Sequence, residues 1–150
     1  MAEMCRSLAD VVQFALSREE QARDFYHKCA EAAERKGLKK FFREMAEEEE
    51  RHRSMLAELP CRELESATLE HEEDLHESDF MVDVAFSPEM TYQQALVMAI
   101  KKEDKAERFY SAWKDRCGSG GQVGRIFSFL AGEEQKHKEA LEAAYEDLVG

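Results

Sequence analysis

Apolar positions along this chain recur in alternating steps of three and four over four long stretches, the spacing that lines one face of an α-helix. The first stretch reads Leu8, Val12, Ala15, Glu19, Ala22, Tyr26, Cys29 and Ala33. It predicts a helix from about Ser7, a good N-cap, to about Gly37, with Arg35 and Lys36 as the basic residues that suit a helix C-terminus. The second stretch, Leu38, Phe42, Met45, Glu49, His52 and Leu56, predicts a helix that runs to about Leu59 and stops at Pro60. The third opens on a Thr91-x-x-Gln94 capping-box signature, carries Tyr92, Leu96, Ala99, Glu103, Ala106, Tyr110, Trp113 and Cys117 in phase, and ends in the glycine-rich run from Gly118 to Gly121. The fourth holds Val123, Phe127, Leu130, Glu134, His137, Leu141, Ala144 and Leu148. Residues 60–90 break the pattern with an acidic run, Glu70 to Asp74, that contains His71 and is followed by His76, two imidazoles able to bind metal weakly. The stretch reads as a solvated crossover with room for a short helix. The expectation is one all-α domain over residues 1–150, an antiparallel four-helix bundle: a hairpin at about 7–59, the long crossover between helices 2 and 3, and a second hairpin at about 91–149.

Each apolar seam is interrupted by residues that belong on a solvated face: Glu19, then Glu49 and His52, then Glu103, then Glu134 and His137. The interruptions repeat. An offset of 103 − 19 = 84 carries Glu19, Ala22, Phe25 and Tyr26 onto Glu103, Ala106, Phe109 and Tyr110. An offset of 134 − 49 = 85 carries Ala46, Glu49 and His52 onto Ala131, Glu134 and His137. The chain is therefore an internal duplication of a two-helix unit, each copy holding one Glu and one Glu-x-x-His. At ~1.5 Å rise per residue, turns near Gly37 and Gly120 bring the carboxylates of each hairpin to one level, mid-bundle.

Composition narrows the chemistry. The chain is 43% hydrophobic with seven glycines and two prolines, a helical vocabulary with enough apolar mass for one core. The formal net charge is −12 and no basic stripe is present, which argues against nucleic acid or an anionic membrane and for a cation as ligand. Four cysteines, Cys5, Cys29, Cys61 and Cys117, form no Cys-x-x-Cys pair, so no zinc knuckle is expected and reduced thiols in a cytoplasmic protein are the simplest reading. No signal peptide and no membrane-spanning run is evident.

Four carboxylates and two imidazoles buried together cost more than a domain's net stability unless something neutralises them. Two divalent cations balance four carboxylates, and Glu-x-x-His places both side chains on one helix face. Glu19, Glu49, His52, Glu103, Glu134 and His137 are thus the candidate metal ligands. Their oxygen-rich set with one imidazole per ion suits iron or manganese, with zinc able to substitute. Tyr26 and Tyr110, seven residues after Glu19 and Glu103, are either plain core aromatics or hydrogen-bond donors that orient a ligand carboxylate.

On these motifs the chain resembles the ferritin-like superfamily and, within it, the rubrerythrin-type diiron proteins. The resemblance spans nearly the whole sequence. It implies two irons, with Glu19 and Glu103 as terminal ligands, Glu49 and Glu134 as bridges, and His52 and His137 each capping one iron. It further implies a homodimer and hydrogen peroxide or O2 as reactant. The corresponding activities are peroxide reduction, ferroxidation with iron storage, or oxidation of organic substrates. The sequence departs from the family in three places: it has no rubredoxin-like Cys-x-x-Cys domain, so a separate electron-donor protein is expected; Ala106 stands where rubrerythrins carry an extra carboxylate; and Glu50 stands where bacterioferritin-like proteins place a haem-ligating Met. The other reading of the same residues is a non-catalytic iron-binding, storage or redox-sensing protein.

Overall fold

The computed structural model describes residues 8–59, 86–116 and 121–149. Its elements are four helices, α1 (Leu8–Ala32), α2 (Lys36–Ala57), α3 (Tyr92–Lys114) and α4 (Gln122–Val149), which form a four-helix bundle. The first helix pairs with the second and the third with the fourth, as the duplicated hairpins predict.

The hairpin boundaries differ from the sequence expectation in an instructive way. Gly37 lies inside the first turn of α2, and the connection is the shorter stretch Ala33–Arg35. No basic residue stands in the last turn of α1. Lys39 does that work from the next helix, its Nζ donating to the carbonyls of Ala30 at 3.2 Å and Glu31 at 3.3 Å, so the exposed end of the α1 dipole is capped across the turn. With the turn centred on residue 34, Glu19 and Glu49 each lie 15 residues away (34 − 19 and 49 − 34), and both meet at the same height. The α3 N-terminus matches its signature: Gln94 N–H donates to Thr91 Oγ1 at 3.0 Å while Thr91 N–H donates to Gln94 Oε1 at 2.9 Å. That helix ends at Lys114, ahead of Cys117. Ser7, the crossover at 60–85 with its expected short helix and His71 and His76, and Cys117 lie outside the described residues.

The core is divided into two apolar halves. One collects Leu8, Val12 and Phe14 of α1, Leu56 of α2, Phe109 and Trp113 of α3, and Phe127 of α4. The other collects Phe25 and Cys29, Phe42 and Met45, Leu96 and Ala99, and Leu141. The start of α1, the end of α2, the end of α3 and the start of α4 thus share one end of the bundle. Helices 2 and 3 run parallel, and Leu59 and Phe86 sit at opposite ends, which is why a long connection is needed between them. Phe25 and Phe109 widen the seam beyond the alternating positions. In α4 Leu141 is the last fully buried seam residue, Ala144 and Tyr145 still pack against the core, and Leu148 is 45% exposed.

Candidate metal centre

Between the two apolar halves lies a polar layer. Glu19, Glu49, His52, Glu103, Glu134 and His137 are each at most 5% exposed, and all six come from the middle turns of their helices. Two sets of four emerge, Glu19–Glu49–His52–Glu134 and Glu49–Glu103–Glu134–His137, each offering atoms within 4.8 Å of one another. Glu49 and Glu134 belong to both sets. Each imidazole directs Nδ1 inward: His52 Nδ1 lies 2.9 Å from Glu134, 3.2 Å from Glu49 and 3.8 Å from Glu19. The duplicated mate, His137 Nδ1, lies 3.1 Å from Glu49, 3.6 Å from Glu103 and 3.7 Å from Glu134. The two rings stack at 5.6 Å between centroids.

The two tyrosines brace this layer crosswise. Tyr26 of α1 donates to Glu103 Oε1 of α3 at 2.6 Å, and Tyr110 of α3 donates to Glu19 Oε1 of α1 at 2.9 Å. Burial first, then the carboxylates around them, pushes both phenols well above their ordinary value, so they remain protonated donors. Each bond occupies one oxygen of its carboxylate and leaves the other facing the layer.

Those remaining atoms have no protein partner. Glu19 Oε2, both oxygens of Glu49, Glu103 Oε2, Glu134 Oε1, His52 Nδ1 and His137 Nδ1 are buried without a hydrogen bond and converge on one volume. Buried polar groups are otherwise paired almost without exception, so this convergence marks a place for cations, and the donors fit the group. Without cations the layer must keep protons. Burial and then the neighbouring acids push Glu19 and Glu134 well above the ordinary value of 4.5. For Glu49 burial acts in the same direction, but the adjoining His137 and His52 imidazoles outweigh it, bringing it to about 2. Burial also opposes charge on His137, and its contacts with Glu103 and Glu49 overcome that, raising it to about 12.

Two further pairs complete the surroundings, and the sequence reading did not single them out. Outside the imidazoles, Glu48 sits against Nε2 of His137 and Glu133 lies 3.9 Å from Nε2 of His52. On the opposite side, between α1 and α3, a cavity of about 120 Å³ reaches from exposed Gln21 down to Glu49 and Glu134, with Arg18 and Lys102 on its walls. Arg18 Nη2 donates to the Lys102 carbonyl at 3.1 Å. Burial, then the Arg18 charge, pulls the Lys102 ammonium below its usual value. Both pairs obey the duplication, since 48 + 85 = 133 and 18 + 84 = 102, and that register was the available signal. Cys29 is buried and its thiol is pushed up to about 12 by burial, as befits a packing residue.

Comparisons with known proteins agree with this geometry. A search of curated proteins finds no match. Among solved structures, a hypothetical protein from Pyrococcus furiosus is 25% identical with a TM-score of 0.69, the match covering 93% of this chain and 89% of that one. The bacterioferritin-related protein of Bacteroides fragilis, a dodecameric thioferritin, is 22% identical with a TM-score of 0.72 over 94% and 85%. A protein of Thermotoga maritima described as a ferritin-like diiron-carboxylate protein is 19% identical with a TM-score of 0.71 over 98% and 99%. The rubrerythrin family model matches residues 10–85 and 94–150. A family pattern that spans both hairpins, together with a doubled Glu and Glu-x-x-His gathered into one buried layer, establishes that the chain belongs to the rubrerythrin family.

Proposed function

We propose that this protein is a diiron oxidoreductase that reduces hydrogen peroxide or O2. The observation that carries the reading is the convergence of unpartnered atoms from six buried residues into two overlapping sets that share Glu49 and Glu134. Glu19 and His52 would hold one iron, Glu103 and His137 the other, and Glu49 and Glu134 would serve both. When bound, two irons supply two electrons at one place, enough for H2O2 + 2e⁻ + 2H⁺ → 2H2O. The protein's own part is positional. Tyr26 and Tyr110 fix the terminal carboxylates, the two apolar halves exclude water from above and below, and the cavity between α1 and α3 leaves one side of the layer reachable. The electrons come from a separate donor protein. The protein works as a homodimer in the cytoplasm; among the described residues no helix is long and apolar enough to cross a membrane.

Stopped-flow oxidation of the anaerobically iron-loaded protein by equal concentrations of peroxide and O2 tests the activity. A much faster peroxide reaction with repeated turnover under an added reductant is expected. Single turnover with either oxidant, accompanied by uptake of many irons per chain into a large assembly, would instead identify an iron-storage protein.

A further inference from the structure

The duplication makes the two halves of the polar layer alike in residue type but not in what holds them. Each imidazole turns Nδ1 inward, and an imidazole that gives its Nδ1 lone pair to a cation carries its proton on Nε2. Where that N–H points decides how firmly the ring is fixed. For His137 of α4, Nε2 is hydrogen-bonded to Glu48 Oε2 of α2. For His52 of α2 the matching acid is Glu133 of α4, and its Oε1 lies 3.9 Å from Nε2, too far for a hydrogen bond. The residues three positions further on account for the difference. The Lys136 ammonium holds Glu133 Oε2 at 3.2 Å, whereas its duplicate, Arg51, stays 3.9 Å from Glu48 Oε1 and leaves Oε2 to the imidazole. The carboxylates share this bias. Tyr26 holds Glu103 at 2.6 Å, shorter than the ~2.7–2.8 Å usual for an O–H···O bond, while Tyr110 holds Glu19 at 2.9 Å.

We propose that the two metal positions are unequal: a divalent cation occupies the Glu103–His137 position first, and Glu48 is the positioning residue that gives this position its priority. The inference rests on the metal reading above and adds an order of filling to it. Glu49 and Glu134 belong to both sets and favour neither, so the preference lies with the unshared ligands. At the Glu103–His137 position both of these are oriented before the ion arrives, and less side-chain freedom is lost on binding. The carboxylate behind the ring also makes the ligating nitrogen more basic. At the Glu19–His52 position the imidazole has no such support. When metal is scarce the chain therefore holds one ion beside His137, and the second ion sets how much protein is competent for two-electron chemistry.

The probe is zinc, titrated into the metal-free full chain while the imidazole nitrogens are followed by NMR. H52A and H137A assign the signals, and bound zinc is measured in every sample. His137 Nδ1 is expected to shift with the first equivalent and His52 Nδ1 only with the second, the two affinities differing about 10-fold or more. E48A should close that gap by weakening the first equivalent, while E133A, at the duplicated position, should leave the order intact. His52 shifting first, or both imidazoles shifting in parallel in wild type, overturns the inference while leaving the metal centre standing. A gap that survives in E48A, or that closes equally in E133A, also overturns it, because the priority then does not come from Glu48. Wild-type protein that takes up no zinc, or takes it up with neither imidazole shifted, refutes the metal reading and this inference with it.

Discussion

Replacing Tyr110 with Phe removes one hydrogen bond and almost nothing else. The ring keeps its edge contacts with Phe109 and Phe127, both at 5.3 Å between centroids, and loses only the 2.9 Å bond to Glu19. In the metal-free protein burial holds a proton on Glu19, so the lost bond is a neutral one worth about 1 kcal/mol. In the metal-loaded protein Glu19 is a carboxylate, and a hydrogen bond to a charged group is worth about 1.5–3 kcal/mol. The substitution therefore destabilises the loaded form more than the empty one, by about 0.5–2 kcal/mol, equivalent to roughly 2- to 30-fold weaker metal binding. For a domain of this size 1 kcal/mol moves the melting temperature by about 2–4 °C. Melts of wild type and Y110F with and without iron should show a larger drop in the loaded pair. Equal drops in the two forms would mean that Tyr110 is a packing residue and that Glu19 binds no ion.

Removal of metal should reverse the pH dependence of stability. Glu19 and Glu134 are raised above 4.5, so their protons stabilise the empty fold at low pH and that contribution fades as pH rises through the raised values. His137, raised to about 12, adds stability that is complete below 6.5 and declines progressively as pH rises from there toward 12. Glu49, lowered to about 2, contributes fully above 4.5 and loses its effect only as pH falls toward 2. The melting temperature of the metal-free protein should thus fall between about pH 5 and 8, while the loaded protein, which gains ligands as protons leave, should not follow it; coincident profiles refute this. Glu48→Gln should weaken iron binding about 10-fold or more and shift the His137 imidazole signals in NMR of the zinc-loaded protein, because its carboxylate orients the outer nitrogen of His137; unchanged affinity and spectra would show that it is an ordinary surface acid. Gly132→Ala should raise stability by about 0.5–1 kcal/mol in urea melts, since a methyl there meets nothing within 4 Å and the position is mid-helix; a loss of stability would contradict the α4 register.

Much of the architecture was legible because seam and site are written in the same register. Glu19, Glu49, His52, Glu103, Glu134 and His137 stand out only as violations of an apolar period, and a duplicated violation has no simple packing explanation. The structure brings all six into one layer. Tyr26 and Tyr110 were left open between packing and orientation. Their crossed bonds, each to the carboxylate of the other repeat, favour orientation and could not be read from spacing, because periodicity fixes a face of a helix and not which neighbour it meets. The turn between α1 and α2 was misplaced because Gly37 looks like a terminator, whereas helical geometry tolerates glycine in a first turn and Lys39 caps the preceding helix from across it. Arg18, Lys102, Glu48 and Glu133 escaped notice because charged residues on the flank of a helix are the norm. Only their duplication and the cavity or imidazole beside them set them apart.

Anaerobic iron titration, with metal content and Mössbauer spectra recorded on wild type, H52A, H137A and the double variant, tests the central claim most directly. Two tightly bound, mutually coupled irons per chain are expected in wild type, one in each single variant and none held tightly when both imidazoles are gone. Two tightly bound irons retained in H52A/H137A would contradict the account.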